Sequence, residues 1–249
     1  MTVENDEQLE KLRAIGRIVA NVLRDMQKAA EPGMTTAELD AIGAKLLEEQ
    51  GARSAPQLTY DFPGATCISV NEEAAHGIPG ERVLQPGDLV NIDVSAEKDG
   101  YFADTGGSFI IPPASLPKER ICRATRDALE AAMREARAGQ PMNRIGKAIE
   151  QLAKQRGYRV IRNLCSHGVG GGLHEYPEEI YGYYEPRDRR VLTEGLVITI
   201  EPFLSDRNRY VEDTGDGWTL AGKPGSINAQ YEHTMVITRG APIILTQPG

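Results

Sequence analysis

The sequence predicts a mixed α/β fold made of two similar αβ halves, at about residues 1–112 and 113–249. One observation is that apolar residues at helical spacing alternate with short apolar strands along the whole chain. The other is an internal repeat, in which LQPGDLVNID (84–93) aligns with LTEGLVITIE (192–201) and places Glu201 on Asp93. We therefore expect the halves to face each other, each offering a carboxylate from an equivalent strand.

The first half begins with two predicted helices. Residues 6–30 carry apolar side chains at helical spacing, and Glu31-Pro32-Gly33 ends that helix. Thr35 and Glu38 then have the spacing of a capping box, which predicts a second helix that ends near Gly51.

The strands of the first half include a hairpin that carries two aspartates. A short strand is predicted around Cys67–Val70, and a loop containing His76 follows it. The stretch DLVNIDVSAEKDGYFADT then predicts two strands joined by a turn at Lys98-Asp99-Gly100. Asp93 lies in the first of these strands and Asp104 in the second. By alternation, the apolar residues of the first strand face one side and its aspartate faces the other.

The second half follows the same order of elements. Helices are predicted over 118–138 and 143–156, and a strand near Arg159–Leu164 follows them. The glycine-rich segment SHGVGGGLHEYP leads to a strand at Gly195–Pro202. A last hairpin is predicted to hold Trp218 and to end in YEHTMVITR.

Composition and charge exclude several classes of function. The 249 residues carry a net charge of −8, which argues against a nucleic-acid-binding surface. No apolar run approaches the roughly 18 residues that a membrane span needs, and the acidic N-terminus resembles neither a secretory nor a transit peptide. Cys67, Cys122 and Cys165 are odd in number and widely spaced, which suits free thiols in a reducing compartment. We expect a cytoplasmic protein.

Four acidic residues are predicted on largely apolar strands, where an unpaired carboxylate is costly to bury. They are Asp93, Asp104, Glu201 and Glu232. Two aspartates in one hairpin could simply point to water, but a set of four on equivalent strands favours a shared site. Left alone, the four would repel one another and raise each other's pKa. Two divalent cations would neutralise them, because hard oxygen ligands suit such metals.

The four histidines of the chain lie in different settings. His167 is predicted between a strand and a glycine-rich loop, where glycine lets backbone and ligand approach closely. A lone histidine there is more often structural, but beside four clustered acids its imidazole suits a fifth metal ligand. His76 and His174 lie in loops at strand ends, where substrate-facing groups belong. His233 should point away from the neighbouring acid, so we expect a structural role for it.

Asp93, Asp104, His167, Glu201 and Glu232, in this order and roughly this spacing, resemble the two-metal site of the methionine aminopeptidases. The flanking segments CISVNEEAAHGIP, NIDVSAEKDGYFADT, SHGVGGGLHEYP, ITIEP and AQYEHTMVIT resemble that family too. The resemblance covers almost the whole chain. It implies the pita-bread fold, an α/β (α+β) architecture of two pseudo-symmetric halves around a curved antiparallel sheet. It also implies a single catalytic metallopeptidase domain over residues 1–249.

The resemblance implies a role for each ligand. Asp104 and Glu232 would bridge two metal ions, Asp93 would bind one of them, and His167 and Glu201 would bind the other. A water or hydroxide between the metals would attack the scissile carbonyl. The ions would be Mn, Fe, Co or Zn, because carboxylate and imidazole ligands accept all four.

The resemblance also implies the substrate and its contacts. The family removes the N-terminal methionine from nascent proteins and peptides and prefers a small second residue. Glu201 would shuttle the proton, His174 would hydrogen-bond the substrate carbonyl, and His76 would contact the scissile amide or substrate backbone. The expected methionine pocket consists of Phe62, Cys67, His76 and Trp218. Each of these pocket residues, taken alone, is equally well explained by ordinary packing.

The sequence departs from the family pattern at four positions near these motifs. Thr59 stands where the family often has tyrosine, and Leu173 where it often has phenylalanine. A pocket with a less aromatic wall would be roomier. Ser166 and Val169 replace a more usual glycine and isoleucine, and none of the four is an expected metal ligand.

The type I branch is expected, because the stretch between His167 and Glu201 is too short for the inserted helical subdomain of type II enzymes. No zinc-finger extension precedes the first predicted helix either. Prolidase and aminopeptidase P, which cleave X-Pro bonds, usually carry a large additional N-terminal domain and are the second enzyme interpretation. A pita-bread protein that only recognises partners should have lost ligands, whereas all five are present.

The expected partner is the N-terminal methionine of nascent polypeptides and peptides. A transient contact with the ribosome is compatible with that role. We expect a monomer that recognises neither nucleic acid nor a membrane.

Overall fold

The computed structural model describes residues 1–249, and its long helices lie where the sequence predicts them. The Asn5 side chain accepts from the Gln8 backbone at the start of the first helix, and Thr35 and Glu38 form the expected capping box of the second. None of the helices combines the length and the apolar character that a bilayer crossing requires. The helices are Asp6–Ala29 (α1), Thr36–Glu49 (α2), Ala55–Tyr60 (α3), Leu116–Glu135 (α4) and Asn143–Gln155 (α5).

The strands are short, and the pairings between them are all antiparallel. Those of the first half are Arg53–Ser54 (β1), Cys67–Val70 (β2), Glu73–Ala75 (β3), Leu89–Lys98 (β4) and Tyr101–Ile110 (β5). The second half begins with Arg159–Val160 (β6), Cys165–Gly168 (β7), Glu175–Tyr181 (β8), Val197–Ile200 (β9) and Phe203–Ser205 (β10). It ends with Glu212–Asp213 (β11), Leu220–Ala221 (β12), Asn228–Gln230 (β13), His233–Val236 (β14) and Ile243–Ile244 (β15).

The first half packs α1 and α2 on one face of a sheet in which β4 is central. β4 pairs with β2 and with β5, so that Cys67 lies opposite Asp93 and Ser95 opposite Asp104. Val90, Ile92 and Val94 of β4 alternate with Asp93 and face the helices. The buried core on that face includes Ile15, Val19, Met26, Leu39, Val90, Ile92 and Val94. Burial of such side chains, at about 2 kcal/mol each, is what fixes the register of β4.

The second half repeats this arrangement with α4 and α5. β9 pairs with β7 and with β14, as β4 pairs with β2 and β5. The core under the helices includes Leu129, Ile145, Ile149, Ile198 and Ile200. The internal repeat in the sequence therefore corresponds to two equivalent structural units, with Asp93 on β4 and Glu201 directly after β9.

The two halves meet along β5 and the segment that leads into β14. The Glu232 amide donates to the Gly106 carbonyl at 2.9 Å. The Thr234 hydroxyl accepts from the Asp104 amide at 3.0 Å and donates to the Asp104 carbonyl at 2.7 Å. We call this contact the seam. It brings the acid-bearing faces of the two halves together.

Several strands differ from the sequence prediction. His167 lies within β7, not in a loop after a strand, and the strand predicted over 159–164 is reduced to β6. Trp218 does not share a hairpin with the last strands, because it lies in the turn between β11 and β12, and β12 pairs with β3 of the first half. α3, β3 and β8 have no counterpart in the prediction. β3 pairs with the distant β12, whereas α3 has only six residues and β8 has no regular alternation of apolar side chains, so none of the three leaves a clear periodicity to detect.

Candidate active site

The five side chains predicted as metal ligands converge at the seam. Asp93, Asp104 and His167 come from β4, β5 and β7, while Glu201 directly follows β9 and Glu232 directly precedes β14. His167 Nε2 lies 3.5 Å from Glu201 Oε1 and 3.9 Å from Asp104 Oδ2. Single ligand atoms of Asp104, His167 and Glu232 all lie within 4.8 Å of one another. Asp93 is half-buried and the other four are buried.

Burial and mutual repulsion strongly perturb the ionisation of these groups. Burial and the neighbouring carboxylates raise the pKa values of Asp93, Glu201 and Glu232 well above the ordinary carboxyl range. Burial raises the pKa of Asp104 to about 6. Burial also lowers the pKa of His167 to about 3, so that its imidazole is neutral at pH 7. The protein supplies no cation to balance the acids, and a divalent ion would do so.

The hydrogen bonds of the site provide a test of whether a metal fits. Asp93 Oδ1, Asp104 Oδ1 and Glu232 Oε1 are buried without a hydrogen-bond partner, which costs about 1–3 kcal/mol for each group. His167 Nδ1 lies 3.0 Å from the Gly168 carbonyl, which can only accept, so Nδ1 carries the proton. The Nε2 lone pair therefore faces the acids. Carboxylate oxygens with one imidazole nitrogen suit a divalent cation, and the site fits one.

Two residues that the sequence analysis did not assign to the site hold its ligands in place. Gln230 donates to Glu232 Oε2 at 3.0 Å. The Ser166 hydroxyl accepts from the Glu201 backbone amide at 2.9 Å. Gln230 could have been found, because it lies two residues before Glu232 and alternation puts both on one face. Position 166 was noticed only as a departure from glycine, and its hydroxyl acquires a role only when β7 pairs with β9.

The acids open onto a cavity of about 410 Å³. All residues predicted for catalysis, substrate binding or metal binding line this cavity except Glu232. Its apolar side includes Phe62, Cys67, Leu173 and Trp218, and the Phe62 and Trp218 rings meet edge to face with centroids 5.2 Å apart. The cavity therefore joins a polar, metal-binding end to an apolar end.

The structure places Thr59 outside the lining of the cavity. Thr59 is exposed and does not line the cavity, whereas the next residue, Tyr60, does. The short helix α3 turns residue 59 away from the cavity and places residue 60, although 41% exposed, at the cavity mouth. An aromatic ring is therefore present at the mouth, although it comes from a different position.

The backbone at His76 adopts an unusual conformation. Its φ of 55° lies in the left-handed region, which costs a residue other than glycine roughly 1 kcal/mol. Gly77 holds it there. A Cβ at Gly77 would lie 2.2 Å from the Ile68 carbonyl oxygen, so the loop touches β2 directly. The conformation turns the His76 side chain into the lining of the cavity.

His174 lies beside the proposed ligands, whereas the fourth histidine does not. The His174 and His167 rings are in contact, with centroids 3.9 Å apart and planes tilted by 41°. Burial lowers the pKa of His174 to about 4, with a smaller effect from His76. His233 is absent from the cavity lining, and its Nδ1 lies 2.9 Å from the Thr246 hydroxyl, in agreement with the expected structural role.

Comparison with known proteins identifies the family. A family model described as metallopeptidase family M24 matches residues 10–239. The chain belongs to metallopeptidase family M24. It is 47% identical to Methionine aminopeptidase 2 of Bacillus subtilis (strain 168) over 248 residues, which cover 99% of this chain and 100% of the relative.

Solved structures of M24 proteins agree with this assignment. A methionine aminopeptidase from Thermotoga maritima matches with a TM-score of 0.94 and 32% identity, over 99% of this chain and 100% of that one. Prolidase from Pyrococcus furiosus matches with a TM-score of 0.80 and 23% identity, over 100% of this chain but 66% of that one, and so shares the fold. The predicted pita-bread fold and the assignment to the metal-dependent aminopeptidases are confirmed.

Proposed function

We propose that this protein is a methionine aminopeptidase that removes the N-terminal methionine from nascent proteins and peptides, with a preference for a small second residue. The observation that carries the proposal is the cavity in which an apolar wall adjoins a cluster of acids with unpaired oxygens. An aminopeptidase needs both features, because it must hold a side chain and a free α-amino group at once. Relatives with this name at 47% identity support the same activity.

Two divalent ions fit the donor set. Asp93, Asp104, His167, Glu201 and Glu232 would together hold them. The unpaired oxygens of three of these residues support the assignment. The ions supply Lewis acidity, which polarises the scissile carbonyl and lowers the pKa of water at the site. Mn, Fe, Co and Zn all suit carboxylate and imidazole ligands.

The protein's own residues then handle protons and charge. Glu201 would accept the proton of the attacking water and pass it to the leaving amine. His174 would donate a hydrogen bond to the substrate carbonyl oxygen and stabilise the negative charge that develops there. His76, on the opposite loop, would contact the scissile amide or the substrate backbone.

The apolar end would bind the methionine side chain. Phe62 and Trp218 form a rigid aromatic corner, and Cys67 and His76 complete the lining. Methionine suits such a corner, because its thioether is flexible and packs favourably on aromatic rings. The α-ammonium group of the substrate would meet the acidic end, which restricts cleavage to the first residue.

The deciding experiment measures methionine release from Met-Gly and Met-Lys peptides, with an X-Pro dipeptide alongside, after chelation and after readdition of Mn or Co. We expect release from the Met-Gly peptide only, lost on chelation and restored by metal. Cleavage of the X-Pro dipeptide instead would assign the protein to the prolidase branch. No turnover with any metal would overturn the proposal.

The whole chain would act as one catalytic unit. We propose that residues 1–249 form a single catalytic domain, because each half contributes acids to one site. We also propose that it is a cytoplasmic monomer in transient contact with ribosomes, where nascent chains emerge. Light scattering and co-sedimentation with ribosomes test the last two points.

A further inference from the structure

His174 has one side-chain hydrogen bond, and its partner is Tyr60. The Tyr60 hydroxyl lies 2.8 Å from His174 Nδ1, and the two ring centroids are 5.5 Å apart. Both residues line the cavity. Sequence analysis gave Tyr60 no role.

The position of Tyr60 is defined by α3. Ser54 caps this helix by accepting from the Gln57 amide, and Pro56 lies in its first turn. Asp61 ends it in the left-handed conformation, with φ of 55°. The backbone that carries Tyr60 is therefore a helix capped at both ends and not a free loop.

The direction of the hydrogen bond follows from the chemistry of the two groups. A phenol O–H is a stronger acid than the N–H of a neutral imidazole, and an imidazole nitrogen is a stronger base than a phenol oxygen, so the favoured hydrogen bond runs from the Tyr60 hydroxyl to His174 Nδ1. A phenol O–H that donates to Nδ1 makes this nitrogen the acceptor. A neutral imidazole has only one N–H, so its proton then lies on Nε2.

We propose that Tyr60 is a positioning residue, whose hydroxyl holds His174 in the tautomer that carries its proton on Nε2. This inference rests on the proposed function, in which His174 donates to the substrate carbonyl oxygen. In the other tautomer Nε2 is a lone pair, which repels that oxygen. Contact with the His167 ring restricts the orientation of the His174 ring, and Tyr60 selects which nitrogen donates.

The first test observes the tautomer directly. The four histidines of zinc-loaded protein labelled with 15N-histidine give at most four imidazole patterns, each with one Nδ1 and one Nε2 signal, and loss of one pattern in His174→Gln assigns His174. We expect the Nε2–H tautomer in the unaltered protein and a mixture of tautomers in Tyr60→Phe. An unchanged His174 pattern in Tyr60→Phe would overturn the proposal, and this readout does not depend on activity.

The second test separates positioning from pocket shape. On a Met-Gly peptide, Tyr60→Phe should lower kcat about tenfold, the equivalent of one hydrogen bond, and change KM less than about twofold. Tyr176→Phe is the matched control, because Tyr176 is exposed and its side chain makes no hydrogen bond. A raised KM with unchanged kcat would mean that Tyr60 only shapes the cavity and does not position His174, which would overturn the proposal. If the unaltered protein releases no methionine, the proposed function fails, while the spectra still decide the tautomer.

Discussion

Asp104 shows how one residue depends on its surroundings. On β5 it is an acid in an apolar strand, and burial raises its pKa to about 6. Its Oδ2 faces His167, while its Oδ1 has no partner. Such a carboxyl is unfavourable in the protein alone and favourable beside a cation, because removal from water is then offset by a direct metal bond.

Asp104→Asn should separate metal binding from folding. The amide keeps the shape but removes a bridging charge, so we expect loss of bound metal and at least a roughly 100-fold loss of activity. Without metal, the Asp104→Asn variant should be no less stable than the unaltered protein at pH 7, because the substitution removes a buried charge. Metal analysis, peptide turnover and thermal unfolding measure these effects. Asp99→Asn, in the exposed hairpin turn, is the control, and full metal content with normal turnover would refute the site.

Metal binding should release protons near pH 6. Asp104 has a pKa of about 6 without metal, and the pKa values of Asp93, Glu201 and Glu232 are raised. These carboxyls hold protons that a cation must displace, so apparent affinity should increase as the pH rises from about 5 to about 7. Calorimetry of Mn binding in two buffers with different ionisation enthalpies measures the released protons. Binding without proton release would show that the acids do not ligate the ion.

Trp218→Ala should weaken substrate binding and leave the metal centre intact. The Asp216 carboxylate accepts from the Trp218 and Thr219 amides at 2.9 and 2.7 Å and so holds this turn against the cavity. Removal of the indole takes away one side of the aromatic corner, and we expect KM for Met-Gly peptides to rise about tenfold. Metal titration should be unchanged. An altered metal titration with an unaffected KM would contradict the pocket assignment.

Several short secondary-structure elements contribute to the cavity through the residues at their ends. α3 has only six residues, yet it turns Tyr60 into the cavity and Thr59 away from it. β12 pairs with β3 across the halves, which brings the Trp218 turn to the cavity. The loop after β3 carries His76, and its shape is set by contact with β2. The Ile68 amide donates to the Gly77 carbonyl at 2.9 Å.

Gly77→Ala should damage both stability and catalysis. The new methyl would lie 2.2 Å from the Ile68 carbonyl oxygen, so the loop or β2 must move, at a cost of about 1–3 kcal/mol. His76 would move with the loop, and kcat/KM should fall. Gly80→Ala is the matched control, because its nearest atom would be 3.9 Å away. Thermal unfolding and peptide turnover compare the two; equal behaviour of both variants would disprove the role of the close contact.

At the scale of the whole molecule, the site exists only where the two halves meet. Each half has its own helices and a largely separate buried core, and none of the acids belongs to either core. Asp93 and Asp104 come from one half, and His167, Glu201 and Glu232 from the other. The seam determines their spacing, and Thr234 forms two of its hydrogen bonds, both with the Asp104 backbone.

Thr234→Val tests the seam. Valine has nearly the same volume, but it leaves the buried amide and carbonyl of Asp104 without their partner, which should cost about 1–3 kcal/mol. Because the Asp104 strand then loosens against the second half, metal affinity should fall as well.

Thr193→Val, at an exposed position, is the control. Denaturant unfolding and metal titration measure both effects. Lower metal affinity in a variant that remains stable would still support the role of the seam. Unchanged stability together with unchanged metal affinity would contradict it.

The sequence predicted most of the fold because its signals are local. Helical periodicity, the Thr35 capping box and the hairpin around Asp99 and Gly100 depend on neighbouring residues only. The repeat identified Asp93 and Glu201 as equivalent positions, since duplicated segments keep their pattern of apolar residues. β3 was missed because its partner, β12, is distant in sequence. The hairpin assigned to Trp218 was wrong for the same reason.

By itself, then, the sequence determined the elements, the equivalence of the halves and the residue types that suit a metal. Only the tertiary structure decided that Ser166 and Gln230 hold the acids, that Tyr60 rather than Thr59 reaches the cavity, and that His174 is bonded through Nδ1. The physical reason is the sequence distance over which each interaction acts. Periodicity and capping act over a few residues, whereas hydrogen-bond partners and ring orientations depend on side chains brought together from distant parts of the chain.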